Sequence, residues 1–175
     1  EFRRVLFRSI PAYSVSREGY FETYEVSVLL DYLKVLDNAR QDLPLTAVLT
    51  SPFAGLTAAE LSVIRLAYPN QLFYEAVEGF CSLSPEEIPE TVDKKQAIQV
   101  QEKLRKFFEV LDHFREILPY TAIHDLLAEI IDKTGYGLFI SAMPGGAQRQ
   151  ANVEMLVEKA RAFEGTSYKG LFNFE

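Results

Sequence analysis

Apolar residues recur three and four positions apart along most of this chain, and that spacing confines it to helices that bury one face. Val26, Leu29, Leu30, Leu33 and Leu36 fall on one side of a helix, and Leu61, Ile64 and Tyr68 stripe a shorter one. Leu104, Phe107, Phe108, Leu111, Phe114 and Leu118 mark a long helix that begins near Thr91. Pro119 ends it, because proline has no amide to donate and its ring clashes with the preceding turn. Ile123, Leu126, Leu127, Ile130 and Ile131 stripe the next helix, with Gly135 placed as its C-cap. Val153, Leu156, Val157, Ala160 and Phe163 stripe another, which Gly165 stops, and a last helix starts near Ser167. The pattern predicts an all-α, bundle-like domain of about six to eight helices.

Extended structure is expected in one place only. Ile10–Val15, "IPAYSV", is short, and Ile10 precedes a proline, which favours an extended backbone. With no second strand to pair with, it needs a sheet from outside the chain. Residues 10–20 are therefore expected to be an extended segment and residues 21–175 the helical domain. The segment "SLSPEEIPE", residues 82–90, reads as a loop with a short helical start. No apolar run approaches the roughly 20 residues that a membrane helix needs.

The two ends carry their own expectations. Residues 1–9, "EFRRVLFRS", back-translate to a string that resembles the end of a short-read sequencing adapter. They are expected to be a translated adapter and not native protein. Arg3, Arg4 and Arg8 against Glu1 give this stretch a net +2, so the formal charge of −7 becomes −9 without it. The far end, "YKGLFNFE", stops inside an apolar amphipathic stretch, so both ends are expected to be cut from a longer reading frame. An acidic chain is a poor free-standing nucleic-acid binder, because phosphate binding is driven by Lys and Arg. Any DNA contact must be local or depend on a larger protein.

Few residues point to chemistry. In "TSPFAGLTAAEL", residues 50–61, Thr57 and Glu60 have the spacing of a capping box, with Leu56 and Leu61 placed for a hydrophobic staple. A functional reading stands beside this structural one. Gly55 lets the backbone turn closely, exposed amides at a helix start can hold a phosphate, and Ser51 and Thr57 add hydroxyl donors. In "AMPGGAQRQAN", residues 142–152, the glycine pair lacks the Lys-Ser/Thr that a nucleotide-binding loop requires. Pro144, Gly145 and Gly146 read as a tight turn into a helix. Arg149 is then a surface residue or the partner of an acidic neighbour. His113 and His124 lack the spacing that puts metal ligands on one helix face, so no metal site is assigned. Glu86, Glu87, Glu90 and Asp93 read as a solvated charge run at a helix start. Cys81, the one cysteine, sits in an apolar "GFCSL" context without a neighbouring base, and a reducing, cytoplasmic setting fits it.

Four stretches together carry a family resemblance. They are "GYFETYEV" (19–26), "DNARQDLPLTAVLTSPFAGLTAAELSVIRL" (37–66), "DKTGY" (132–136) and "AMPGGAQRQANVEMLVEKARAFEGTSYKGLFNF" (142–174). Over residues 10–175 the chain resembles AddA, the helicase–nuclease component of the bacterial AddAB (RexAB) complex, a UvrD/Rep-like superfamily 1 helicase. The resemblance implies the mostly helical 2B accessory domain, with residues 10–20 leaving the motor core. It also implies a parent enzyme that uses ATP and magnesium for strand separation and exonuclease cleavage in double-strand break repair and recombination. The implied partners are duplex DNA and an AddB-type subunit, and the implied location is a bacterial cytoplasm. Ala54-Gly55-Leu56 lies where related helicases carry a Gly-Ile-Gly turn that touches duplex DNA, with only one of its two glycines present. The motor and nuclease motifs are absent from the chain, so the expected role is non-catalytic: to contact duplex DNA ahead of the motor, or to dock AddB.

Overall fold

A computed structural model describes residues 17–165 together with Leu171 and Phe174. The described residues form nine α-helices and no strand: α1 (Arg17–Phe21), α2 (Tyr24–Asp37), α3 (Asp42–Thr50), α4 (Ala58–Ala67) and α5 (Phe73–Ser82), then α6 (Lys94–Ile117), α7 (Ile123–Lys133), α8 (Tyr136–Ala142) and α9 (Gly146–Glu164). A 3-10 turn, Leu118–Tyr120, separates α6 from α7 at Pro119. The domain is all-α, as the periodicity predicts. No described helix is long and apolar enough to cross a membrane.

The striped helices stand where expected, and Val26, Leu29, Leu33 and Leu36 are all buried. Four helices were not expected from the stripes, which takes the number past eight. Helix α3 carries Pro44 in its first turn, where a missing amide costs nothing because that amide has no intrahelical partner. Helix α5 buries Phe73, Ala76, Val77 and Phe80 on a short face interrupted by Gly79. The Gly79 position is filled from outside: a Cβ there meets the Tyr68 ring at 3.0 Å. Helix α8 is seven residues long, too short to show a period. Within the segment 10–20 expected to be extended, residues 17–20 are instead helical, as part of Arg17–Phe21, which buries Tyr20. Residues 10–16, the adapter-like residues 1–9 and the start of the helix expected near Ser167 lie outside the described residues.

Two packed groups share one core. Helix α2 lies against α3, α6 and α9, α9 crosses α7 and α8, and α4 and α5 lean on α6. Tyr32, Leu29, Leu33, Phe114, Leu111 and Leu126 are fully buried where these helices meet. Several helix ends are satisfied by distant side chains. Gln101 on α6 donates to the Phe80 and Leu83 carbonyls, 2.9 Å each, closing the end of α5. Helix α7 has no side-chain cap of its own. The Glu164 carboxylate, from the last residue of α9, accepts from the Ile123 amide at 2.5 Å and also binds His124 Nδ1. Tyr32 is an exception: its hydroxyl is buried with no hydrogen-bond partner among the described residues.

Glycines decide the turn into α9. Gly145 has φ 72°, a left-handed conformation that costs an L-residue about 1–2 kcal/mol. Gly146 has no room for a side chain, because a Cβ there stands 2.0 Å from the Ser141 carbonyl oxygen. Gly146→Ala is therefore expected to cost about 3 kcal/mol or more by forcing α8 and α9 apart, read as a lower urea midpoint. Tyr32→Phe is expected to leave stability unchanged or raise it by about 1 kcal/mol in the same measurement, since the deleted hydroxyl gives up no bond.

Candidate nucleic-acid interface

The turn before α4 is held by local bonds and by two aromatic rings. Thr57 accepts from the Glu60 amide while the Glu60 carboxylate accepts from the Thr57 amide at 2.7 Å, which completes the capping box. Leu56 is buried, and its amide donates to the Leu49 carbonyl at 2.9 Å. Phe53 stacks on Tyr136 with centroids 4.8 Å apart and planes 8° apart, and tilts against Tyr32 at 4.4 Å. These contacts leave Gly55 exposed at φ 64°, with no heavy atom within 4 Å of the place a Cβ would occupy.

The three residues singled out from sequence have different surroundings. Gly55 is exposed, but both its backbone groups are engaged: its amide donates to the Ser51 carbonyl at 2.8 Å and its carbonyl accepts from Lys103 at 3.0 Å. Ser51 is buried, and its hydroxyl donates inward to the Val48 carbonyl at 2.6 Å. Thr57 is an exposed residue, but its hydroxyl is engaged with Glu60, donating to the carboxylate at 3.1 Å and accepting from the amide at 3.2 Å. Glu60 thus brings an anion to the helix start. Its burial pushes its carboxyl up, and bonds from Lys103 and Thr57 together with the Lys103 charge more than reverse that, leaving it below the usual carboxylate value.

Lysines from α6 and α7, distant in sequence, lie at or beside this turn. Lys103 on α6 donates to the Gly55 carbonyl at 3.0 Å and pairs with Glu60 at 2.8 Å. Lys106, one turn further along α6, and Lys133 of α7 line a small cleft of about 210 Å³ with Phe53 and Tyr32. Lys133 is paired with Glu129 at 2.5 Å, and its Nζ lies 2.8 Å from His113 Nε2. Lys106 makes no ion pair with a described residue. Only Lys103 and Lys106 share a helix, at a spacing of three that puts them on one face.

The glycine turn at residues 144–146 is built for structure. Arg149 resolves as the partner of a distant acid: its Nη1 donates to the buried Glu25 carboxylate at 2.6 Å, and its Nε to the Pro144 carbonyl at 3.0 Å. Asn152 donates to the other Glu25 oxygen at 2.6 Å, Tyr20 donates to the Asn152 carbonyl at 2.7 Å, and the Tyr136 hydroxyl donates to the Glu25 carbonyl at 3.0 Å. Burial pushes the Glu25 carboxyl up, but the bonds from Asn152, from its own backbone amide and from Arg149, with the Arg149 charge, outweigh it and hold the group below its usual value. Elsewhere, burial pushes the Cys81 thiol up to about 11, so it stays a protonated thiol near neutral pH. His124 sits between Glu164 and Asp125, and Glu86, Glu87 and Glu90 are exposed ahead of α6.

No family model matches the chain. Its curated relatives include proteins named as the A subunit of an ATP-dependent helicase/nuclease. That of Lachnoclostridium phytofermentans is 39% identical over 199 residues, covering 94% of this chain and 14% of the relative. That of Heliobacterium modesticaldum is 40% identical over 174 residues, covering 99% and 12%. That of Oceanobacillus iheyensis is 40% identical over 167 residues, covering 95% and 13%. The chain thus spans less than a sixth of the length of these relatives.

The Glu25 cluster has a measurable acid signature. A carboxyl whose folded pKa lies below its unfolded value contributes stability above the unfolded value, about 4.3, and loses it as pH falls through the folded one. Glu25→Gln is expected to cost about 2 kcal/mol at pH 7, reduced from the full buried-pair figure because Arg149 is partly exposed. The same substitution is expected to flatten the fall in stability below about pH 4.3, measured by urea unfolding at stepped pH.

Proposed function

We propose that this chain, which belongs to the AddA family of ATP-dependent helicase/nucleases, is a non-catalytic accessory domain that meets duplex DNA through the Gly55 turn. The observation that carries this reading is the exposed Gly55 turn, bonded by Lys103 at its carbonyl and with Lys106 and Lys133 in a cleft beside Phe53 of the same turn. Ammonium groups beside an exposed turn suit a phosphate, and they read no base; Lys106, which pairs with no described acid, is the one placed to contribute its full charge. In the whole protein the domain orients the motor on the duplex, while strand separation and nuclease chemistry, with ATP and magnesium, reside in other parts of it.

The glycine turn at 144–146 does not fit a triphosphate. Arg149 is committed to Glu25 and Pro144, the Ser141 carbonyl blocks a side chain at Gly146, and no lysine follows the glycines. A second reading, docking to an AddB-type partner with little DNA contact, is favoured by the formal charge of −7.

Binding of a labelled duplex to the full chain across a salt series separates the two. Phosphate contact predicts affinity that falls with salt, and Lys106→Ala is expected to reduce the logarithmic slope by about 1. Gly55→Asp is expected to weaken binding more than Gly55→Asn. Both residues tolerate the left-handed backbone, and only the first adds charge. Equal behaviour of the two Gly55 variants, with no salt-dependent binding, favours docking.

A further inference from the structure

A second cleft shares helix α7 and the turn after it with the lysine cluster: Ile131, Asp132 and Gly135 line it, while Lys133 and Thr134 line the other. This second cleft measures about 740 Å³ and runs between α7, α8 and α9. Ile131, Ile140, Val153 and Val157 form an apolar floor. Small residues keep it open, among them Ala128 and Gly137, and at Gly137 an added Cβ meets Ile131 at 3.1 Å. Leu138 stands at its edge, 79% exposed, which is unusual for a leucine on a helix between packed neighbours.

The charged residues that line this cleft are all acidic. Asp132, Glu154 and Glu158 line it and are exposed, and no Lys or Arg is among its lining residues. Two of the three have neighbours of their own. Glu154 accepts from Gln150 at 3.1 Å, which leaves its charge uncompensated, and Glu158 makes an exposed pair with Arg161. Nucleic acid and anionic lipid are disfavoured there by repulsion, and a second copy of this chain on the same face sets carboxylates against carboxylates.

We propose that the α7–α8–α9 cleft is a docking groove for an amphipathic helix of a protein partner, with an apolar stripe that seats on Ile140, Val153 and Val157 and lysines or arginines that meet the acidic rim. An apolar floor with a charged border suits an amphipathic helix, which anchors through residues three and four apart. The proposal gives the docking reading a surface and rests on it for the partner's source, the AddB-type protein. It is independent of DNA contact at Gly55.

The test uses the full chain and a labelled amphipathic helical peptide with leucines at helical spacing and flanking lysines, with a glutamate-flanked copy as control. Anisotropy is expected to show the lysine peptide binding at least tenfold more tightly, with affinity falling as salt rises. Leu138→Glu and the double variant Glu154→Lys/Glu158→Lys are each expected to weaken it tenfold or more while the thermal melt stays in place, since all three positions are exposed. Equal binding of both peptides, or no effect of either variant, overturns the groove. So does a concentration-dependent dimer that Leu138→Glu abolishes, or binding of duplex or anionic vesicles at this face. Purified AddB-type protein is then offered to wild-type chain and to Leu138→Glu. Equal retention places docking elsewhere and sinks the groove alone, whereas no retention by either sinks the docking reading as well.

Discussion

The buried Glu25 carboxylate is the constraint on which the arrangement of helices turns. A carboxylate removed from water is costly unless its charge and lone pairs are met, and here α9 meets them with Arg149 and Asn152. That fixes how α9 lies on α2. The arrangement also extends outward: Tyr136 bonds to the Glu25 carbonyl, and Phe53 stacks on Tyr136. The exposed Gly55 turn is therefore held by a chain of contacts that begins at a buried charge on another helix.

Specificity, more than stability, is what such a network supplies. An apolar α2–α9 contact tolerates sliding by a turn, because leucines and valines offer near-equivalent seats. A carboxylate held by two directed bonds does not tolerate it. Gly145 and Gly146 serve the same end by steric means, the first through a left-handed backbone and the second through close approach of Ser141. Together they set the crossing of α8 and α9, and so the width of the cleft between them.

Much of the helical framework was legible in the residues. The stripes on α2, α4, α6, α7 and α9 mark buried faces, and the Thr57–Glu60 spacing marks a helix start that forms with both reciprocal bonds. Gly165 caps α9 as read, whereas Gly135, read as the C-cap of α7, lies one residue past its C-cap Thr134 and starts α8 in a left-handed conformation. The four remaining helices carried weaker signals: α1 and α8 span too few turns for a period, α3 contains a proline, and α5 a glycine against Tyr68. At the candidate interface, Gly55 was legible as a turn. The inward-facing Ser51 hydroxyl was not, because its direction depends on how α3 ends.

What the sequence by itself determined is what acts within about one helical turn: helix class, caps, stops and the positions that demand glycine. Those interactions join residues three or four apart, so their spacing is visible in the string. Tertiary structure alone decided the long-range partners. Arg149 finds Glu25 across 124 positions, Lys103 finds Gly55 across 48, and Glu164 caps Ile123 across 41. Any of several arginines or lysines has the charge for such a role, and only the packing of helices selects which one arrives with the right geometry. The lysine cluster and the acidic cleft, on which the function is argued, belong to that second kind.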